Sequence, residues 1–192
     1  MDPMKGAWWF CLILILGSCG PSSSNRSDSR SANEMLASQF IDAFYSFNSD
    51  SLESILTTAK DSQPNLLYYQ KWAECGHYQI VKRGEIIHKS DTLVLVPVTV
   101  KDDLMSALKI NFNVTDTFRI VIVSEKIRSV DTSSNDPDSY YEAKEWVKNN
   151  MPELIDTECE GIWNGGPTPC GCINGYIEGF HYYVKAMRAE PL

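Results

Sequence analysis

The sequence predicts an α+β protein, because the spacing of its apolar residues changes along the chain from a helical period to a strand period. Between residues 34 and 75 apolar residues recur at the spacing of one face of an α-helix. Between residues 78 and 127 they alternate with polar residues, as in antiparallel strands that bury one face. Residues 129–192 return to the helical period and contain several cysteines. We therefore expect N-terminal helices packed on an antiparallel sheet, followed by a helical, cysteine-containing appendage.

The first residues have the organisation of an export signal. One lysine, Lys5, precedes an uncharged apolar run over residues 7–16, which is too short to cross a bilayer core of about 30 Å as a helix. The run ends in Leu16-Gly17-Ser18-Cys19, where two small residues suit the cleft of a signal peptidase. An ordinary secretory signal followed by a chance cysteine is the alternative interpretation.

The motif Leu16-Gly17-Ser18-Cys19 resembles the lipobox of bacterial lipoproteins. The resemblance implies that residues 1–18 are a signal peptide and that Cys19 becomes an acylated, palmitate-bearing first residue, anchored in a membrane of the cell envelope. By similarity to Gram-negative sorting, Gly20 in place of an aspartate implies the outer membrane, with the protein facing the periplasm. Residues 19–33 contain hardly any apolar side chain, which predicts a flexible tether between lipid and domain.

Three helices are expected after the tether. Asn33 is a plausible N-cap for an amphipathic helix that continues to about Phe47. Residues 51–59 predict a second, short helix, and residues 66–75 predict a third.

Strands are expected next. Residues 78–88 predict a strand interrupted at Arg83-Gly84, and residues 92–100 predict another, in which Pro97 indicates a sheet edge or a bulge. The strict alternation over residues 108–115 predicts a half-buried strand. Residues 118–127 are apolar on both faces for much of their length and predict a central strand.

Three helices followed by a run of long strands resemble the nuclear-transport-factor-2-like (cystatin-like) fold over residues 34–128. The long helix of that fold would contain residues 40–45, and Asp50-Ser51-Leu52 would form the turn after it. The resemblance implies a curved, cone-like sheet that wraps around the helix and leaves a cavity. Enzymes with this fold place an aspartate, histidine or tyrosine in the cavity. No position of this sequence matches those roles, so the catalytic residues stay unknown.

The appendage over residues 129–192 begins with a polar break at residues 131–138. Pro137-Asp138 can start a helix that ends at Asn149-Asn150, and a loop rich in glycine and proline occupies residues 161–171. Residues 173–187 predict an amphipathic helix, although Gly175 and Gly179 each cost about 1 kcal/mol relative to alanine.

Two of the six cysteines, Cys11 and Cys19, belong to the signal and the anchor. The four remaining cysteines are Cys75, Cys159, Cys170 and Cys172. An even number of cysteines in an exported chain favours disulfides, here two. Three connectivities are possible. A bond from Cys159 to Cys170 would close the glycine–proline loop and leave Cys172 for Cys75. Cys170-Gly171-Cys172 also permits a redox dithiol, or half of a zinc site completed by Cys75-Gly76-His77.

The composition and motifs of the chain argue against several classes of function. A formal charge of −8 argues against nucleic acid as a partner. None of the three histidines, His77, His88 and His181, lies in a metalloprotease pattern, and there is no nucleophile elbow or phosphate-binding loop. We expect no cofactor and no metal.

Aromatic residues offer a further signal, since they form either core or the lining of a ligand pocket. They cluster at two places in the chain, namely Tyr68, Tyr69, Trp72 and Tyr78, and Trp146, Trp163, Tyr176, Tyr182 and Tyr183. The expected function is a lipid-anchored, non-catalytic module that binds a small ligand or an envelope protein. The alternatives are a cone-fold isomerase or hydrolase with His88 or a tyrosine as acid–base group, and a thiol oxidoreductase using Cys170 and Cys172.

Overall fold

The computed structural model describes residues 23–161 and 168–189. The predicted signal peptide, the lipobox with Cys19, and residues 162–167 of the glycine–proline loop lie outside the described residues. In chain order the elements are α1 (Ser23–Tyr45), α2 (Ser49–Ile55), α3 (Gln63–Cys75), β1 (Gln79–Arg83), β2 (Ile87–His88), β3 (Leu93–Lys101), α4 (Asp103–Ala107), β4 (Val114–Val123), β5 (Lys126–Ser134), α5 (Asp138–Asn150), a short 3-10 helix (Pro152–Leu154) and α6 (Cys170–Ala189).

The strands form an antiparallel sheet in the order β1-β3-β4-β5, with β2 paired to β3 beside β1. Alternate residues of β3 and β4 are buried on one face, and α1 packs against that face. The rings of Phe40 and Phe44 lie 5.4 and 5.0 Å from the ring of Phe118, between centroids. The predicted α+β class is confirmed, and the arrangement of helices on an antiparallel sheet is compatible with the cone-like fold.

Helix α1 begins at Ser23, ten residues before the predicted N-cap, so residues 23–33 are helical where the sequence predicts a flexible segment. Neither proline nor glycine occurs between residues 23 and 33, so no strong helix breaker interrupts it there. Asn33 is buried, and its side-chain amide donates a hydrogen bond to the carbonyl of Asp91 at 3.0 Å. Its polarity therefore serves a tertiary contact and not a cap.

The strand predicted over residues 108–115 is wrong up to residue 113. The short helix α4 precedes this segment, because the carboxylate of Asp102 caps it by accepting a hydrogen bond from Met105 N at 2.8 Å. The apolar side chains of this helical turn, from Leu104, Met105 and Leu108, are buried. Lys109 then turns the chain with a positive φ of 59°, and β4 begins only at Val114.

The strand predicted over residues 118–127 is two strands. β4 ends at Val123, and Ser124 and Glu125 form a two-residue hairpin turn in which both φ angles are positive, at 51° and 56°. β5 follows on the edge of the sheet and continues to Ser134, through residues predicted as a polar break. β4 is central, as predicted.

Pro97 lies in an interior strand, because β3 is paired on both sides. It faces the interruption predicted at Arg83-Gly84, where the neighbouring strand is broken into β1 and β2. Gly84 N donates to the carbonyl of Pro97 at 2.8 Å, and a Cβ on Gly84 would lie 2.6 Å from Pro97 Cγ. The break accommodates the proline, so neither a sheet edge nor a bulge in β3 is needed.

Helices α5 and α6 confirm the two helices predicted in the appendage. The four cysteines form two disulfides, Cys75–Cys170 and Cys159–Cys172, and not the pairing expected from closure of the loop. Cys170 is the first residue of α6 and bonds to the last residue of α3, whereas Cys172 faces the opposite side of the same helical turn. Helical geometry therefore gives the two cysteines different partners.

A candidate ligand cavity

A cavity of about 230 Å³ lies between the inner face of the sheet and helices α3 and α5. Helix α3 contributes Tyr68, Tyr69, Trp72 and Ala73 to its wall, all from one face of the helix. Helix α5 contributes Tyr140, Tyr141 and Lys144 at a matching spacing. The cavity is therefore bounded by two helical faces rich in aromatic rings, opposite the ends of β4 and β5.

Asp116 is the acidic residue that the sheet presents to this cavity. It lies on β4 on the same face as Val114 and Phe118, directly opposite Ser134 of β5. The hydroxyl of Tyr45 donates a hydrogen bond to Asp116 Oδ2 at 3.0 Å. Burial raises the pKa of Asp116 to about 6, and the charge of Asp136 adds to the increase. The hydrogen bond from Tyr45 acts in the opposite direction and lowers this pKa.

A second cavity carboxyl, Asp136, follows β5. Ser134 Oγ donates to Asp136 Oδ1 at 3.1 Å, and the hydroxyl of Tyr141 donates to Asp136 Oδ2 at 3.2 Å. The segment after β5 thus brings a second acceptor next to Asp116. Each carboxylate retains acceptor positions beyond these donors.

A third carboxyl, Asp102, lies outside the lining of the cavity and acts on it through its charge. Asp102 is 3% exposed, and its Oδ2 atom has no hydrogen-bond partner among the described residues. Burial raises the pKa of Asp102 to about 6, although the helix-capping hydrogen bonds lower it. Burial also raises the pKa of the cavity residue Tyr78, and the charge of Asp102 adds to the effect. Asp102 therefore adds negative charge on the side of the cavity where Tyr78 lies.

Lys144 is a basic residue of the cavity lining. Its ammonium nitrogen lies 5.1, 5.4 and 5.1 Å from the ring centroids of Trp72, Tyr140 and Tyr176. Burial lowers the pKa of Lys144, and no carboxylate within the described part of the chain forms an ion pair with it. The ammonium group thus lies over ring faces, and the charges of Asp136 and Glu145 act on it without an ion pair.

The structure brings together only some of the residues singled out in the sequence. Tyr68, Tyr69, Trp72 and Tyr78 line the cavity. In the second aromatic cluster, Tyr176 packs against Trp72, the rings of Trp146 and Tyr183 pack on each other, Tyr182 is exposed, and Trp163 lies outside the described residues.

The histidines do not line this cavity. His88 Nε2 lies 2.7 Å from Glu34 Oε1, and His77 Nδ1 lies 2.7 Å from Asp103 Oδ2. His181 lies in a separate surface groove on α6. The cavity groups that sequence analysis missed are Asp116, Asp136, Tyr140, Tyr141 and Lys144. One of them carries a signal, because Asp116 is an acid on the apolar face of a strand.

The cysteines belong to the scaffold around the cavity. Cys170 and Cys172 are each bonded to a distant cysteine and not to each other. Over residues 23–161 and 168–189 no group of three or more histidine, cysteine or acidic residues is arranged to hold a metal ion. No helix in those two ranges has the length and apolar character needed to cross a membrane.

Comparisons of the chain with protein-family models, with curated proteins and with solved structures give no significant match.

Proposed function

We propose that this chain is a lipid-anchored protein of the cell envelope whose cavity binds a small organic ligand without transforming it. The observation that carries the proposal is the cavity itself, which combines aromatic walls with a few convergent polar groups. Its volume of about 230 Å³ is below the roughly 300–1,000 Å³ of drug-sized sites, which favours a small ligand. The proposal includes membership of residues 34–128 in the nuclear-transport-factor-2-like fold, whose cone would form this cavity.

Filling the cavity tests ligand binding. Thr132 lines the cavity from β5, so Thr132→Phe should occupy its space and abolish binding. Thr117 lies on the opposite face of the sheet and outside the lining, so Thr117→Phe is the matched control. Ligand-observed NMR with a library of small aromatic and aliphatic compounds would measure both. Compounds that bind the parent and the two variants equally would refute the cavity as the binding site.

The anchor has its own test. Cys19→Ala should abolish acylation and release the protein from membranes, since acyl chains would be its attachment. Cys11→Ala changes a cysteine within the signal and should leave the anchor intact. A Cys19→Ala protein that has lost its signal and still sediments with membranes would contradict the anchor. Acylation is measured by mass spectrometry of the N-terminal peptide.

A second candidate function is catalysis by general acid–base chemistry, as an isomerase or hydrolase. It is favoured by Asp116, whose pKa of about 6 lies near a working pH. His88 is a weaker candidate because it pairs with Glu34 and does not line the cavity. Turnover of a bound compound, lost in Asp116→Asn with binding retained, would establish this function over simple binding.

Thiol oxidoreductase activity is the third candidate. The separate pairing of Cys170 and Cys172 favours structural disulfides instead. A native exported protein with no titratable thiol and no turnover of dithiol substrates would agree with the structural role. A binding partner among envelope proteins is tested by cross-linking of the anchored protein in cells.

A further inference from the structure

We propose that the cavity ligand is a small organic cation, with an amine or ammonium group beside Asp116 and Asp136 and an apolar body against the aromatic walls. This inference rests on the proposed ligand-binding function and specifies the chemical class of the ligand. It combines three observations: two cavity carboxyls that form no ion pair, aromatic walls, and a lysine whose ammonium group lies over aromatic rings of the same region.

Neither of the two cavity carboxyls, Asp116 and Asp136, has an ion-pair partner among the described residues. Lys144 lines the same cavity and interacts electrostatically with Asp136 without forming an ion pair, and Arg83 is paired with Asp42 at 2.6 Å. Burial of Asp116 disfavours its charged form, so a ligand cation beside it would offset that cost.

The groups that face Asp116 are two hydroxyls and two further acids. Tyr45 faces it from α1, Ser134 from β5, Asp136 from the segment after β5, and the charge of Asp102 reaches it from the start of α4. None of these groups carries a positive charge. The acceptor positions left on the two cavity carboxylates can receive the N–H donors of an amine.

The aromatic walls suit the rest of such a ligand. Phe44, Tyr69 and Trp72 present ring surface to the cavity. The lysine Lys144 demonstrates that these walls accept an ammonium group, because its nitrogen lies over three rings of the same region. Lys144 is held over these rings without an ion pair, so the carboxylates remain available to a ligand cation.

The test compares three compounds of similar shape that differ in charge. Isothermal titration calorimetry of the purified exported chain at pH 7.5 would measure the affinities of 2-phenylethylamine, 2-phenylethanol and 3-phenylpropanoate. We expect the amine to bind at least about tenfold more tightly than the alcohol, and the carboxylate to bind most weakly, as hydrogen bonds to charged groups contribute more than neutral ones.

Two charge-matched variants locate the effect. Asp116→Asn should weaken the amine about tenfold and leave the alcohol unchanged. Asp131→Asn removes the same charge from an exposed position of β5 and should change neither. Lowering the pH from 7.5 to 5 should weaken the amine about tenfold in the parent, because a proton competes for Asp116, whose pKa is about 6.

The failures are distinguishable. If the alcohol or the carboxylate binds as tightly as the amine, the cationic ligand class is overturned and the ligand-binding function stands. If no member of the series binds saturably, the cationic ligand class is overturned, and the library screen with Thr132→Phe and Thr117→Phe decides the ligand-binding function separately. If Asp116→Asn and Asp131→Asn weaken the amine equally, the assignment of the amine to the cavity carboxyls is overturned.

Discussion

At the scale of single residues, Asp116 is the position where the chain departs most clearly from the rule that strand interiors are apolar. Its neighbours on the same face, Val114 and Phe118, are buried hydrophobic residues. The carboxyl of Asp116 binds a proton more tightly in the folded protein than in the unfolded chain, because folding raises its pKa from 3.8 to about 6. Its presence therefore costs stability at neutral pH, which is typical of a group kept for function.

Asp116→Asn should stabilise the protein at pH 7.5 and lose that advantage at pH 4. The native state of the parent binds more protons than its unfolded state between about pH 4 and 6, so its stability falls as pH rises through that window. The asparagine variant lacks this dependence and can still accept the hydrogen bond from Tyr45. Thermal unfolding should show a gain of a few degrees at pH 7.5, since about 1 kcal/mol corresponds to roughly 2–4 °C in a chain of this size.

Asp131→Asn is the control for a mere change of net charge, because Asp131 is exposed on the outer side of β5. A gain that is the same at pH 7.5 and pH 4, or that appears equally in Asp131→Asn, would show that burial of Asp116 is not the cause.

At the scale of elements, the C-terminal helix α6 depends on residues that local propensity disfavours. A Cβ on Gly175 would lie 2.0 Å from the carbonyl oxygen of Leu154, and one on Gly179 would lie 2.5 Å from Val147 Cγ2. These glycines let α6 approach the 3-10 helix and α5 closely. The helical period alone predicts α6, but the purpose of its glycines becomes visible only in its packing.

Gly175→Ala should destabilise the protein by about 1–3 kcal/mol, because the new methyl group meets a backbone atom that cannot rotate away. This loss exceeds the gain of about 1 kcal/mol in helix propensity. Asn174→Ala, at the exposed neighbouring position, should be neutral or slightly stabilising. Urea denaturation of the three proteins measures the difference. A Gly175→Ala protein as stable as the parent would mean that α6 shifts away from Leu154 at little cost.

The errors over residues 108–127 also belong to this scale. Alternation predicts a strand at residues 108–113, but the cap at Asp102 starts a helical turn and Lys109 redirects the chain. The hairpin turn at Ser124-Glu125 lacks the Asn-Gly or Asp-Gly signature of its type, so β4 and β5 read as one strand. Periodicity identifies apolar faces correctly and places their boundaries poorly when the turn residues are unusual.

At the scale of the whole molecule, the appendage and the helix-and-sheet unit share one hydrophobic core. Ile173 and Phe180 of α6 belong to the same buried cluster as Phe40 and Ile120. Strand β5 also crosses the domain boundary predicted at residue 128. The class of fold and most helices follow from the sequence because periodicity is local. The cavity does not, because its lining comes from α1, α3, β4, β5 and α5, which meet only after folding.

Removing the long-range disulfide should cost more stability than removing the short-range one. Cys75–Cys170 joins residues 95 apart and Cys159–Cys172 joins residues 13 apart. In the chain-entropy model a loop of about 100 residues contributes about 4.7 kcal/mol and one of about 15 residues about 3 kcal/mol. The double variant Cys75→Ala/Cys170→Ala should therefore unfold at a lower denaturant concentration than Cys159→Ala/Cys172→Ala. The reverse order would mean that local packing around Cys172, and not loop closure, decides the contribution.

The position of Cys170 and Cys172 on one turn of α6 has a consequence for biogenesis. Two residues apart, their side chains project about 200° from each other around a helix, but in an unfolded chain they are nearly interchangeable to an oxidant. A chain that oxidises before α6 forms would therefore bond Cys75 to Cys172 as readily as to Cys170. The correct connectivity requires either that the helix docks first or that an isomerase repairs the bonds by thiol exchange. The yield of correctly bonded protein on oxidative refolding should thus depend on a disulfide isomerase more than on the strength of the oxidant.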